Sequence, residues 1–581
     1  MTRKHLLASV LLFTGAAFLA TQAPVAEVSA QDAKAEKKAA FLKKLADRKK
    51  TEDDKARADA AAAKAAQAKP AVAAPKVTPK ETRPLQALNP ADIAKLINRE
   101  VDKKLSEAKI APSSRSSDAE FLRRVSLDIT GVIPSPEQVE SFLNSSDSDK
   151  RAKLVDELLA NSRYGTRLSD IWANQMIPLD STIRYLTRDP LANWLADSFN
   201  DNKPWDRMAH DIISASGEQA KNGAVTYYMF NQGVDKMTDS VGKLFLGVQI
   251  QCAQCHNHPF THWKQEEYWG LAQFFYNVNV VAQRNGKQTD IVPGVSETAR
   301  ANRKGNPLPE SAKAVAAKFL GGEKPSLQAG KPYRPVLADW LCTAENPFFA
   351  KSMVNRVWAQ YFGRGIVNPI DDLSDENEAS HPELLQQLSS QFANGGFDVK
   401  NLIRAICMSD AYQRTSQPTP ENKLDEVLYS HMAMKVMTPE QLYDSLSTVA
   451  GNFSDAGGRG KGMNGGPKAG ANAARERFAT YFMGSENPKA TDYEHGIPQA
   501  LRLMNSPRLS SPAAVSDLVS SKLTPEKAIE KLYLKTVSRR PTDAELKRLT
   551  DHVKAAAGDP KTPYSDILWA LLNSSEFALN H

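Results

Sequence analysis

Ala91-Asp92-Ile93-Ala94-Lys95-Leu96-Ile97-Asn98-Arg99-Glu100-Val101-Asp102-Lys103-Lys104-Leu105 sets the fold class. Ile93, Leu96, Ile97, Val101 and Leu105 recur at the spacing that lines up one face of an α-helix. The same period returns in Phe121, Leu122, Val125 and Leu127, with Asp118 as the expected N-cap. Ser135-Pro136-Glu137-Gln138 places a cap before Pro at the first helical position and predicts a short helix to Leu143. Leu154, Val155, Leu158 and Leu159 predict another. Trp172, Trp194, Phe199 and Trp205 are expected as core aromatics at helix junctions.

Working outward, helical spacing resumes at Val336 and runs through Leu341, Phe348, Met353, Val354, Val357 and Trp358. Ser380-His381-Pro382-Glu383 opens a helix over Leu384 to Phe392, and helices over Pro525–Leu534, Asp543–Ala556 and Tyr564–Asn573 close the chain. The expected fold is mainly α: a helical domain over 91–278 and a second over 336–578. Between them, 279–335 is rich in Gly, Pro, Asn and charge, which predicts a small irregular or β-containing insertion. Residues 451–470 hold eight glycines without the Lys-Ser/Thr ending of a phosphate-binding loop, so a surface loop is expected there.

The N-terminus reads as a secretory signal over 1–30. Arg3, Lys4 and His5 precede an apolar stretch from Leu6 to Ala20, and Val28-Ser29-Ala30 offers small residues for cleavage. That apolar stretch is short of the roughly 20 residues of a membrane span. An exported protein at the periplasm or cell surface, with no transmembrane segment in its mature chain, is the expectation. Residues 31–90 form an Ala/Lys-rich then Pro-rich arm, expected to be disordered or partly helical. It is either a passive tail or a spacer against an anionic envelope surface. The stretch 31–80 carries 14 basic and 7 acidic residues. Setting it and the signal aside leaves 58 basic against 59 acidic, so the positive formal charge belongs to the N-terminal 80 residues and no nucleic-acid footprint remains.

The chemistry is concentrated in Cys252-Ala253-Gln254-Cys255-His256-Asn257-His258-Pro259-Phe260-Thr261-His262, with two of the four cysteines and three of the ten histidines. Cys-x-x-Cys-His is the pattern of c-type haem attachment: Cys252 and Cys255 form thioethers and His256 reaches the iron. An exported chain suits that chemistry, and a redox partner protein would follow from it. The candidates for a sixth ligand are Met229, Met237, Met353 and His381. Two other uses of the motif stay open. Zinc would draw on Cys252, Cys255, His258 and His262, although Cys342 and Cys407 are singletons and no second Cys-x-x-Cys exists. A Cys252–Cys255 disulfide or reduced pair would make the motif a structural feature of a non-enzymatic envelope or scaffold protein. The apolar run Val241–Ile250 and the amphipathic stretch Glu266–Phe275 flank the motif, as a buried prosthetic group would require. Asp371, Asp372, Asp375, Glu376 and Glu378 form an acidic loop that could hold a calcium ion, but it lacks EF-hand spacing and reads rather as a solvated loop or helix-start charge cluster. No nucleophile elbow, zinc-protease or dinucleotide motif appears.

The chain also resembles the planctomycete-type cytochrome-associated domain of unknown function, followed by its C-terminal surface-associated partner domain. The first resemblance rests on Phe121-Leu122-Arg123-Arg124-Val125-Ser126-Leu127-Asp128-Ile129-Thr130-Gly131, Asn202-Lys203-Pro204-Trp205-Asp206 and the cysteine motif. The second rests on Asn355-Arg356-Val357-Trp358, Gly363-Arg364-Gly365-Ile366-Val367, Ser380-His381-Pro382-Glu383 and Ser409-Asp410-Ala411-Tyr412. The resemblance spans about residues 93 to 578 and brings no established reaction. Asn257 stands where an acidic residue is common in relatives, so an amide replaces a carboxylate there.

Overall fold

Local capping explains where the helices begin. In the computed structural model, Asn89 accepts the Asp92 backbone N–H through its side chain, and Pro90 occupies the first turn of the helix Pro90–Ala108. Ser117, not Asp118, caps Asp118–Thr130: its hydroxyl accepts the Glu120 N–H at 3.2 Å. Asp118 is instead the first helical residue, and its carboxylate pairs with Lys150 and Arg151. Ser135 and Gln138 form a reciprocal capping box on Pro136–Asn144. Gly131, at φ +74°, ends the preceding helix in the left-handed conformation.

The structure describes residues 88–177, 187–259, 261–284, 291–297, 312, 315–451, 467–483, 504–506, 509, 512–556 and 558–581. The signal segment, nearly all of the 31–90 arm, Phe260 and residues 452–466 of the Gly-rich stretch lie outside them. The last residues of that stretch, expected as loop, open the helix Pro467–Met483. Among the described residues no helix is long and apolar enough to cross a membrane.

The fold is mainly α-helical with few short strands. The insertion supplies an antiparallel hairpin, β2 (Val278–Arg284) with β3 (Ile291–Glu297), and β3 also pairs with the two-residue β1 (Gly217–Glu218). Glu297 at the end of β3 forms a fully buried ion pair with Arg334, Nε to Oε2 2.8 Å. That pair fastens the helix Arg334–Leu341 to the hairpin, and Arg334 also donates to the Ala215 carbonyl at 2.7 Å. A second ribbon pairs β4 (Lys435–Val436) with β5 (Leu579–Asn580).

One apolar core runs from Ile93 to Met432, with Leu534 added from near the C-terminus, and so is shared by both helical regions. Trp205 lies at its centre, 4.4 Å from Trp172, 5.9 Å from Phe245 and 6.4 Å from Phe349 between ring centroids. Trp194, expected among these core aromatics, is only partly buried. A second core gathers residues 437–577 with Leu127 and Ile133. The helix Asp118–Thr130 therefore contributes to both cores, and every residue from Phe121 to Thr130 is buried. Most of its polar side chains are used, although Arg123 Nε, Arg124 Nε and Ser126 Oγ are buried without a hydrogen-bond partner. Arg123 donates to the carbonyls of Thr536 and Phe577, and Arg124 to those of Tyr412 and Arg414. Asp128 accepts from Lys435, Tyr412 and Asn580.

Candidate functional site: the Cys-x-x-Cys-His turn

The helix Val234–Val241 runs into a π-helical turn, Gly242–Leu246, before the chain reverses at Gly247 (φ +65°). The left-handed conformation disfavours any L-side chain there, and an added Cβ, 2.9 Å from Leu373 Cδ1, would also push that leucine aside. The chain then forms a 3₁₀ turn, Gln251–Gln254. Three residues per turn bring positions i and i+3 to one side, so Cys252 and Cys255 face the same way while Ala253 between them is buried. Both thiols are exposed and unpaired. The flanking apolar elements do not bury the motif as expected: Cys252, Cys255, His256 and Asn257 are all exposed, because only Ala253 turns inward.

The turn is held from its C-terminal side by the helix Gln265–Ala272. Gln265 donates through Nε2 to the carbonyls of Gln254 (3.1 Å) and Cys255 (2.9 Å), and its N–H to Asn257 Oδ1 (3.0 Å). Trp269 Nε1 donates to the Gln254 carbonyl at 3.0 Å. The amide at position 257 is thus a bracing acceptor.

The three histidines are differently placed. His256 Nδ1 lies 2.7 Å from the Asn257 carbonyl, which can only accept, so Nδ1 carries a proton and the neutral ring has its lone pair on Nε2. His258 is the reverse: its Nδ1 accepts the Thr261 N–H at 3.0 Å, which commits that lone pair to bracing the loop. Burial lowers the His258 pKa against the pull of Asp372. His262 packs on Trp263 at 4.2 Å and points towards Asp375, 3.9 Å away. Cys252, Cys255, His258 and His262 are therefore not drawn to one point. Among the described residues no group of three or more His, Cys, Asp or Glu is placed to hold a metal ion.

The acidic loop, distant in sequence, sits against the motif. Asp371 accepts from Gln249 Nε2 at 3.0 Å, and the Gly247 carbonyl accepts the Leu373 N–H at 2.7 Å. Met229, Met237 and Met353 are core residues. His381 is also buried, at 1% exposure, with Nδ1 3.0 Å from Ser380 Oγ and its ring on Tyr429. Sequence reading missed two groups near the motif, Asp239 and Tyr268; an acidic residue among the apolar positions that lead towards the cysteine turn was the available signal.

Burial pushes the His381 pKa down from 6.5 to about 4, with Lys104 acting in the same direction. The unfolded chain then binds a proton that the folded chain refuses, so the contribution to stability is complete above pH 6.5 and is lost as pH falls towards 4. The loss is on the order of 3 kcal/mol. Denaturant unfolding of wild type and His381→Phe across that window should show the steeper decline in the wild type.

The fold and the turn define a mainly helical protein that presents an exposed Cys-x-x-Cys-His on a braced 3₁₀ turn. Residues 96–280 match the family model PSCyt2, described as a protein of unknown function (DUF1549), and residues 333–485 match PSD1, likewise described (DUF1553). The chain carries these two domains in that order. Comparison with curated proteins finds no match, and neither does comparison with solved structures.

Proposed function

We propose that this is an exported envelope protein that binds c-type haem through Cys252 and Cys255, with His256 as the proximal iron ligand, and serves electron transfer or redox chemistry. The observation that supports it best is the donor set. Two free, exposed thiols share one side of a turn, and the next residue offers Nε2 of a ring whose orientation is fixed through Nδ1. Such a group, when bound, supplies one-electron chemistry. The protein's own residues do the positioning. Gln265 and Trp269 hold the backbone carbonyls of the turn so that the thiols stay outward, and Asn257 fixes both the ring tautomer of His256 and the start of the following helix.

The partner class implied is a redox protein, and the basic 31–80 stretch would hold the body near an anionic envelope surface. A second reading has one observation in its favour. The turn is closed by hydrogen bonds of the protein itself, from Gln265 and Trp269 and from the loop's own backbone, as a structural knuckle of a scaffold protein would be.

Coexpression with a haem-attachment system, followed by a pyridine haemochrome spectrum, separates the two. The haem reading expects a covalent haem band. It also expects His256→Ala to keep the attached group while changing its axial-ligand spectrum. A purified protein with no haem band supports the knuckle, and metal analysis of that sample then tests for zinc.

A further inference from the structure

Two polar atoms beneath the motif are unexplained by packing. Asp239 Oδ1 and Tyr268 Oη are both buried and lack a hydrogen-bond partner of good geometry. Asp239 belongs to Val234–Val241 and Tyr268 to Gln265–Ala272, helices that pack on each other and on the cysteine turn. The two side chains interact with each other, and Tyr268 also feels the charge of Cys255 on the turn. A buried polar group with no partner costs stability, so its presence against a reactive turn points to a task.

We propose that Asp239, with the Tyr268 hydroxyl beside it, is the proton-accepting site of the motif: Asp239 takes up one proton from solvent as one electron enters the group held by Cys252 and Cys255. The proposal rests on the haem reading. In the step, a one-electron donor protein supplies the electron and solvent the proton. The Asp239 carboxylate becomes a carboxylic acid, no other bond changes, and the local charge is conserved. The physical cause is that an added electron repels a nearby carboxylate and favours its neutral form, the more so for a carboxylate that burial has taken out of water.

Burial already pushes the Asp239 pKa up, to about 6. The groups that face it are Lys243 on the π-helical turn, Asp235 one turn back on its own helix, and Tyr268, with Cys255 beyond. The turn Gln251–Gln254 adds only Cys252, and Gln273–Phe275 brings no charge. Lys243 opposes the shift, and burial outweighs it.

The test is the midpoint potential of the haem-loaded full chain from about pH 5 to about pH 8. In the wild type the potential should fall as pH rises, with a slope approaching about 59 mV per tenfold change in proton concentration. Asp239→Asn should abolish the slope. Tyr268→Phe, which removes a hydroxyl that favours the carboxylate, should move the sloping window to higher pH. A second readout uses the haem-free chain. Because folding raises the Asp239 pKa, the wild type should lose thermal stability as pH rises through about 6, and Asp239→Asn should melt higher than wild type at neutral pH. A loaded wild type with a flat potential, or an Asp239→Asn variant that keeps the slope, overturns the proposal and leaves the haem reading intact. A chain that attaches no haem overturns both.

Discussion

Asp128→Ala lowers the stability of the folded chain by about 3–5 kcal/mol, read as a fall in the denaturant midpoint. Asp128 is 3% exposed and accepts from Lys435 Nζ (2.7 Å), Tyr412 Oη (2.8 Å) and Asn580 Nδ2 (2.7 Å). Removing the carboxylate strands the Lys435 ammonium in a site where burial already lowers its pKa. Its remaining partners, the carbonyls of Gln360 and Tyr361, carry no full charge. Adding Lys435→Met to Asp128→Ala should recover part of the loss, because the double variant leaves no unpaired charge. A double variant as unstable as the single one would show that the ion pair is not the cause.

Trp205→Ala has an effect of similar size, about 3–5 kcal/mol, for a different reason. The indole is 1% exposed and touches Trp172, Phe199, Phe245 and Phe349. Its loss leaves a cavity that rigid aromatic neighbours fill poorly. Trp205 and Phe349 lie in the segments matched by the PSCyt2 and PSD1 models respectively. Unfolding of the variant should therefore shift as one transition for probes in both segments. Two separated transitions, with only the first displaced, would contradict a shared core.

The helices were legible because their signals are local. Ser135-Pro136 and the Ile93-to-Leu105 stripe carry cap and period in one short stretch, and the structure places helices there. Ser117 and Asp118 show the limit of that reading: both residues can cap, and the choice falls to Ser117 because Asp118 is claimed by Lys150 and Arg151 from another helix. The same holds for Asp128 and Lys435, or Glu297 and Arg334, whose pairing depends on chain segments far apart in sequence. The cysteine motif was readable as a site, but its surroundings were not. The Gly247–Leu373 contact that seats the acidic loop beside it, and the opposite tautomers of His256 and His258, arise from backbone geometry no spacing rule encodes.

The most direct measurement is the intact mass of the denatured chain after coexpression with a haem-attachment system, for wild type and for Cys252→Ala/Cys255→Ala. Wild type should carry the added mass of one haem that survives denaturation, and the double variant should carry none. An unmodified wild-type mass would contradict the account and leave the turn as a structural knuckle.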